Sequence, residues 1–75
     1  MKTTGVIIDN TGEPLIGVSV KVQGTNTGTI TDLDGKFSID TPPKALLEFS
    51  FIGYKTITME VTGKELHITM QEDSK

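Results

Sequence analysis

The amino-acid sequence predicts an all-β protein, a seven-stranded Greek-key β-sandwich, and three observations carry this prediction. First, the 75 residues include 12 threonines, 8 isoleucines and 5 valines but a single alanine, and β-branched side chains favour pleated sheets over helices. Second, clusters of turn-forming residues recur at short intervals, as they do in sandwiches and barrels. Third, apolar and polar residues alternate between these clusters, and no segment has the 3.6-residue period of an amphipathic helix.

The clearest predicted strand lies in residues 16–23, where Val18, Val20 and Val22 alternate with polar residues. Strict alternation gives a strand one apolar face and one solvated face. The predicted strands cover residues 4–9, 16–23, 29–31, 36–40, 46–51, 55–61 and 65–70. The other apolar side chains expected to face the core are Phe37, Ile39, Leu47, Phe49, Phe51, Ile57, Met59, Val61, Leu66, Ile68 and Met70.

Breaks between the strands are predicted from particular residues. The stretch 32–35, Asp-Leu-Asp-Gly, separates two short strands, and Asp-Gly in such a place is a strong signal for a β-hairpin. Gly53 is expected to mark a bend or bulge after the fifth strand. Pro42 and Pro43 interrupt the sheet, because neither can donate a backbone hydrogen bond to a ladder.

Length and composition limit the classes of function. The chain is predicted to be one domain over residues 1–75, with flexible ends at residues 1–3 and 71–75. It contains no cysteine, which excludes a disulfide framework and a thiolate zinc site. Seven lysines, no arginine and ten carboxylates give a net charge of -3, which argues against nucleic acid as a partner. No apolar run is long enough for a membrane helix and no signal peptide is recognised, so no membrane insertion by this domain is expected.

No arrangement of residues predicts catalysis. His67, the one histidine of the sequence, falls on the polar face of the last strand, where a solvated side chain is expected. Glu48 and Glu60 could be neighbours, but a small sandwich offers little concavity for two catalytic carboxylates. Residues 32–35 lack the remaining ligands of an EF-hand loop, and residues 24–28 lack the lysine of a phosphate loop. We therefore predict no enzyme activity, no catalytic or metal-binding residue and no cofactor.

Four stretches of the sequence, at residues 5–9, 12–20, 24–39 and 47–55, together resemble one known family. Two of them are specific in combination: Gly-Thr-x-x-Gly-x-x-Thr-Asp-x-Asp-Gly-x-Phe at residues 24–37 and Phe-Ser-x-Ile-Gly-Tyr at residues 49–54. The pattern resembles the carboxypeptidase-regulatory-like domain. More narrowly, it is similar to the version found at the N-terminus of starch-utilisation-type TonB-dependent outer-membrane receptors of Bacteroidetes. The resemblance covers almost the whole chain, from about Thr4 to Met70.

The resemblance implies a transthyretin-like sandwich that serves as a non-enzymatic accessory domain on the periplasmic side of the outer membrane. In such receptors the domain precedes a TonB box, a plug and a barrel, so the sequence looks like one domain of a larger protein. The family supplies no catalytic residues, and its recurrent positions here, Pro14-Leu15, Asp34-Gly35 and Gly53, are expected to be structural. A hydroxyisourate hydrolase shares the fold but uses histidine and arginine residues, and this chain has no arginine and one histidine.

The functional prediction is a docking domain of a TonB-dependent nutrient receptor, with a glycan as the expected cargo. Its predicted partners are other parts of the receptor or the periplasmic energising protein, and the domain itself is predicted to be a monomer. Contacts are expected at sheet edges, which accept added strands, and at loops, which often carry function. The predicted contact residues are Thr25, Asn26, Thr27, Gly28, Ile52, Gly53 and Tyr54.

Three alternatives stay open at this point. A carbohydrate-binding module would use Tyr54, although sugar platforms usually need several exposed aromatics and the chain has one tyrosine and no tryptophan. The domain could instead be a regulatory or folding element attached to a peptidase or to a cell-surface protein. A rigid spacer without a partner is the third alternative.

Overall fold

A computed structural model describes residues 2–73, and these residues form seven β-strands and no helix. The predicted all-β class is therefore confirmed. In the described part of the chain, no helix is long and apolar enough to cross a membrane. The strands are β1 (Lys2–Ile8), β2 (Ser19–Val22), β3 (Gly28–Ile30), β4 (Lys36–Asp40), β5 (Leu46–Ser50), β6 (Ile57–Glu60) and β7 (Leu66–Thr69).

The strands form the predicted two-sheet sandwich. One sheet has three strands in the order β4-β1-β7, and the other has four in the order β3-β2-β5-β6. Paired strands run antiparallel except β1 and β7, which are parallel from Gly5↔Leu66 to Ile8↔Thr69. This parallel pair joins β1 to β7, the first and last strands of the described residues, and β7 forms one edge of the three-stranded sheet.

The core lies between the two sheets and is formed by the alternate side chains of each strand that point inward. Phe37 of the three-stranded sheet meets Phe49 of the four-stranded sheet edge to face, with ring centroids 5.6 Å apart. Burial of a side chain of this size stabilises a fold by about 1.5–3 kcal/mol. Three predicted core residues, Phe51, Ile57 and Met59, are only half-buried, because β6 is an edge strand and Phe51 lies beyond β5. The buried apolar residues are Ile7, Leu15, Val18, Val20, Val22, Phe37, Ile39, Leu47, Phe49, Val61, Leu66, Ile68 and Met70.

The predicted hairpin between the third and fourth strands is wrong. β3 pairs with β2 and β4 pairs with β1, so residues 32–35 connect the two sheets. The chain does turn there, since the Asp32 amide donates to the Lys36 carbonyl oxygen at 2.9 Å. Beyond the turn the chain joins β1, because the Ile7 amide donates to the Gly35 carbonyl oxygen at 2.7 Å. The turn forms where its residues predict it, but long-range pairing decides which strand lies next to β4.

Gly35 fits this corner for two reasons. Its φ of 73° lies in the left-handed region, which glycine adopts without the steric cost that a Cβ imposes. A Cβ at this position would also lie 2.5 Å from the carbonyl oxygen of Ile7. The corner therefore closes against β1 only when residue 35 has no side chain.

The two ends of the described chain have hydrogen-bond partners. Thr3 is buried in β1, and its hydroxyl lies 2.9 Å from the hydroxyl of Thr41. Near the other end, the Asp73 amide donates to the Gly53 carbonyl oxygen at 2.9 Å. Met1, Ser74 and Lys75 lie outside the described residues. The flexibility predicted for residues 1–3 and 71–75 stays a prediction.

Candidate functional site

The two predicted contact segments lie at opposite ends of the sandwich. Residues 25–27 follow β2 and lead into β3, whereas residues 52–54 follow β5. Because β5 is antiparallel to β2, the end of β5 lies beside the start of β2, where Ser50 pairs with Ser19. The structure therefore separates the two segments by the length of β2, and they cannot form one site.

The segment at the end of β2 is a compact polar turn. The Thr25 hydroxyl donates to the Val22 carbonyl oxygen at 2.9 Å and accepts from the Thr27 amide at 3.1 Å. Residues 25–28 are all exposed, and Gly28 is the first residue of β3. We call this end of the sandwich, with its neighbouring connections at residues 41–45 and 61–65, the Asn26 end.

β3 is the shorter of the two edge strands of the four-stranded sheet and carries no charged residue. Thr31 donates its amide to the Val18 carbonyl oxygen, and Val22 donates to Thr27. Hydrogen bonding alternates along an antiparallel edge strand, so the backbone groups of Gly28 and Ile30 point away from β2. The structure thus has an open sheet edge, which is one of the places where contacts are predicted.

The segment after β5 is a tight turn with an exposed apolar tip. The Tyr54 amide donates to the Phe51 carbonyl oxygen at 3.0 Å, and Gly53 has a φ of 85°, which confirms the predicted bend. Ile52 at the tip is 91% exposed. The rings of Phe51 and Tyr54 are 5.6 Å apart at a tilt of 40°, and both residues are half-buried.

A shallow depression of about 450 Å³ opens beside Ile52. It is lined by Gly17, Ser19, Ser50, Phe51 and Ile52. The two serines are paired across β2 and β5, and they are small enough to leave the sheet surface open between larger neighbours. A depression of this volume is within the range that receives a side chain or a small ligand.

Four segments meet at the end of the sandwich that carries Ile52: three connections between strands and the segment after β7. We call it the Ile52 end (residues 9–17, 31–35, 51–55 and 70–73). The Gly17 amide donates to the Thr31 carbonyl oxygen at 3.1 Å. The Lys55 amide donates to the Gln71 carbonyl oxygen at 2.9 Å. These backbone bonds join the first segment to the second and the third to the fourth.

The connection after β1 is held by the carboxylate of Asp9. One of its oxygens accepts from the Thr11 hydroxyl at 2.6 Å, the Thr11 amide at 2.8 Å and the Glu13 amide at 3.0 Å. These hydrogen bonds, first of all that from the Thr11 hydroxyl, lower the pKa of Asp9 below its ordinary value of 3.8. The ionised carboxylate of Asp9 therefore stabilises this loop.

The corner after β3 is held in the same way. The Asp32 carboxylate accepts from the amides of Asp34 and Lys36, each at 2.9 Å. The buried hydroxyl of Thr31 donates to the Leu15 carbonyl oxygen at 2.6 Å and accepts from the Val18 amide at 2.9 Å. The side chains of Asp32 and Thr31 thus act as local backbone partners, and the Asp32 carboxylate stabilises the turn.

Carboxylates are concentrated at the Ile52 end. Its four segments contain Asp9, Glu13, Asp32, Asp34, Glu72 and Asp73 against the single lysine Lys55. The corresponding connections of the Asn26 end contain Lys44, Lys64 and Glu65. The pKa of Tyr54 is raised, chiefly by desolvation of its hydroxyl and then by the charges of Glu72 and Asp9. The phenol therefore stands in a negative environment.

His67 lies in the three-stranded sheet, whereas Glu48 and Glu60 lie in the four-stranded sheet. The side chain of His67 is 72% exposed, as predicted, and lies 3.3 Å from the carboxylate of its neighbour Glu65. Glu48 lies opposite Thr58, and Glu60 lies opposite Leu46, so the two glutamates are diagonal neighbours on adjacent strands. Among residues 2–73, no three histidine, aspartate or glutamate side chains are grouped in a way that could hold a metal ion.

Three exposed apolar residues of the Ile52 end were not among the predicted contact residues. Ile16 is 52% exposed and precedes Gly17 in the lining, and Ile30 is 65% exposed and pairs with Ser19. Leu33, in the corner after β3, is 77% exposed. Only Leu33 carried a signal in the sequence, because it stands in a turn, where a polar residue is the usual choice. Ile16 has the same parity as Val18, Val20 and Val22, and Ile30 alternates with two threonines, so the pattern did not mark either as exposed.

The fold and these features define a small β-sandwich with a structured, exposed end. The profile of the CarboxypepD_reg-like domain family matches residues 3–75. The chain belongs to this family of carboxypeptidase-regulatory-like domains, whose members have the transthyretin-like fold.

Two curated relatives are TonB-dependent receptors. The receptor SusC of Bacteroides thetaiotaomicron is 40% identical over 70 residues, which are 93% of this chain and 7% of that receptor. A TonB-dependent receptor of Formosa agariphila is 36% identical over 66 residues, which are 87% of this chain and 6% of the relative. The chain thus spans less than a tenth of the length of these relatives.

Solved structures show the same fold in a different setting. A chain of a type II cohesin–X-dockerin complex from Acetivibrio cellulolyticus superposes with a TM-score of 0.79 and 26% sequence identity. The match covers 96% of this chain and 58% of that chain. A second mutant of the same complex gives a TM-score of 0.76. The sandwich architecture is therefore shared with part of a multidomain protein.

Proposed function

We propose that this chain is a non-catalytic docking domain of a TonB-dependent outer-membrane nutrient receptor, on the periplasmic side of the membrane. The observation that supports this most is the 40% identity to a TonB-dependent receptor over 93% of the chain. The domain corresponds to only 7% of that receptor, so its role in such a protein is accessory to transport. The expected cargo is a glycan, and the expected partners are the rest of the receptor or the periplasmic energising protein.

Transport by the full receptor is the direct test. The domain is deleted in one strain and replaced in a second by an unrelated β-sandwich of similar size, and receptor abundance in the outer membrane is measured in both. A docking domain predicts lost or reduced nutrient uptake in both strains at normal receptor abundance. Uptake restored by the unrelated sandwich would identify a rigid spacer, and normal uptake after deletion would contradict the proposal.

A binding experiment on the isolated domain separates the two expected partners. The ¹⁵N-labelled domain is titrated with the plug domain of the receptor and, separately, with the C-terminal domain of the energising protein. Docking predicts chemical-shift changes confined to one surface with one of these proteins. Absence of shifts with both, at millimolar protein, would contradict docking by this domain.

Carbohydrate binding by the neighbouring rings of Phe51 and Tyr54 is the second candidate function, although the ring geometry favours docking. The two rings are tilted by 40° rather than coplanar, and a flat sugar platform needs aligned ring faces. Titration with oligosaccharides, followed at the Tyr54 ring resonances, tests this candidate. Saturable shifts with a sugar and none with the receptor domains would favour it over docking.

A further inference from the structure

The exposed apolar residues of this chain are unevenly distributed. The described residues include five exposed large hydrophobic side chains: Ile16, Ile30, Leu33, Leu46 and Ile52. Ile16, Leu33 and Ile52 lie in the connections of the Ile52 end, and Ile30 is the last residue of β3 at that same end. Single exposed hydrophobic residues are ordinary on protein surfaces, but a group with a polar rim is typical of an interaction site.

One of these residues lines the depression, and two others adjoin its lining residues in the chain or across the sheet. Ile52 lines it directly, Ile16 precedes the lining residue Gly17, and Ile30 pairs with the lining residue Ser19. We call this surface the Ile52 face; it consists of Ile16, Ile30 and Ile52 with the lining residues Gly17, Ser19, Ser50 and Phe51. Ser19 and Ser50 at its centre are small and carry hydroxyl groups, whereas the isoleucines are apolar. The face therefore has room for an apolar side chain, and the serine hydroxyls can form polar contacts beneath it.

The Ile52 face is held on anchored backbone. The Thr31 hydroxyl ties Leu15 and Val18 together on either side of Ile16, and the Tyr54 amide closes the turn below Ile52. A surface that is already ordered loses little conformational entropy when it binds. The face is therefore suited to binding without rearrangement.

The negative charge of the Ile52 end indicates which kind of partner this surface favours. The Ile52 end carries six carboxylates and one lysine, whereas the whole chain has a net charge of only -3. Surface charges act over about 8 Å at physiological ionic strength, so they favour a positively charged partner and disfavour an acidic one.

We propose that the Ile52 face docks a cationic segment of a partner protein, in which apolar side chains enter the depression and lysine or arginine side chains meet the surrounding carboxylates. This proposal rests on the proposed docking function and adds the surface and the chemistry of the partner. Ile52 is the apolar anchor of the contact. Glu13 and Asp34, both exposed, lie on connections of the Ile52 end and contribute to the charge of that end.

The test is an NMR titration of the ¹⁵N-labelled domain with three short synthetic peptides. In one, lysine and valine alternate; the controls alternate glutamate with valine and lysine with serine. The proposal predicts that the lysine–valine peptide shifts resonances of the Ile52 face, that its affinity falls with added salt, and that both control peptides bind at least about tenfold more weakly. Equal binding of the glutamate–valine peptide, or shifts confined to the Asn26 end, would overturn the proposal.

Two substitutions of matched chemistry locate the contact. Ile52→Ser is expected to weaken binding of the lysine–valine peptide about tenfold, as truncation of an anchor does. Leu46→Ser removes the exposed leucine in β5 at the other end of the sandwich and is expected to leave the affinity unchanged. A double variant, Glu13→Gln with Asp34→Asn, is expected to weaken binding about threefold and to flatten its salt dependence. An equal loss from Leu46→Ser would contradict the proposal.

Failure of this inference and failure of the proposed function give different results. Ile52→Ser and the double charge variant are introduced into the full receptor beside the domain deletion. If the deletion abolishes uptake and these variants do not reduce it, docking occurs elsewhere on the domain and the Ile52 face is not its site. If neither the deletion nor the variants change uptake, the docking function itself is contradicted.

Discussion

The two ends of this sandwich differ in charge, exposed apolar surface and local hydrogen bonding. The Ile52 end combines six carboxylates with exposed isoleucines, and its loops are held by the side chains of Asp9, Asp32 and Thr31. The Asn26 end is closed by a short turn in which Thr25 bonds to its own neighbours. Side-chain hydrogen bonds are thus concentrated at the Ile52 end, where they hold the loops that carry a partly apolar surface.

The largest expected difference between the ends concerns two glycines with left-handed backbone. Gly35→Ala is expected to destabilise the protein by at least about 3 kcal/mol, because the added Cβ would lie 2.5 Å from the Ile7 carbonyl oxygen. Gly24→Ala at the Asn26 end is the matched control. Gly24 has a φ of 82° with no atom near the added Cβ, so backbone strain of about 1–2 kcal/mol is its whole expected cost. Urea denaturation measures both, and equal losses would show that the corner can relax.

A second comparison concerns buried threonine hydroxyls. Thr31→Val keeps the shape of the side chain but leaves the Leu15 carbonyl oxygen and the Val18 amide without this partner, and the expected cost is about 1–3 kcal/mol. Thr3→Val near the Asn26 end removes a hydroxyl that lies 2.9 Å from that of Thr41, and about 1 kcal/mol is expected. Denaturant midpoints of the two variants give the order. A larger loss of stability for Thr3→Val would contradict the view that side-chain hydrogen bonds stabilise the Ile52 end more than the Asn26 end.

The exposed apolar residues are expected to contribute little to stability. Ile52→Ser should change the free energy of unfolding by less than about 0.5 kcal/mol, since Ile52 is 91% exposed. Leu46→Ser should cost about 1 kcal/mol or less, because that side chain keeps part of its surface buried. Thermal melting of both variants checks this. A large loss for Ile52→Ser would mean that Ile52 supports the fold, which would remove the reason to interpret it as a contact residue.

The smallest expected effect is a pH dependence located at Asp9. The folded protein lowers the pKa of this carboxyl below 3.8, first through the hydrogen bond from the Thr11 hydroxyl. A lowered pKa means that Asp9 stabilises the fold above its unfolded pKa and loses that contribution as the pH falls through the folded pKa. The melting temperature of Asp9→Asn should therefore be slightly lower than that of the unsubstituted protein at pH 7, and this difference should vanish by about pH 2. A difference that persists unchanged in acid would show that the charge of Asp9 is not its cause.

Much of the fold could be predicted from the sequence because burial follows a local period. All seven strands overlap the predicted ranges, and alternation correctly placed Val18, Val20 and Val22 in the core. The candidate site was less predictable. The segment 52–54 was named, but Ile16 and Ile30 come close to it only because β2 lies between β3 and β5.

The sequence by itself determined which residues form strands, which face each strand buries and where the chain turns, since these depend on side chains one to four residues apart. Only the tertiary structure decided that residues 32–35 join two sheets, that β1 pairs in parallel with β7, and that the predicted contact loops lie at opposite ends. The reason is that a strand's alternation does not specify its neighbour. That choice depends on how all seven strands together bury their apolar faces and satisfy their backbone hydrogen bonds.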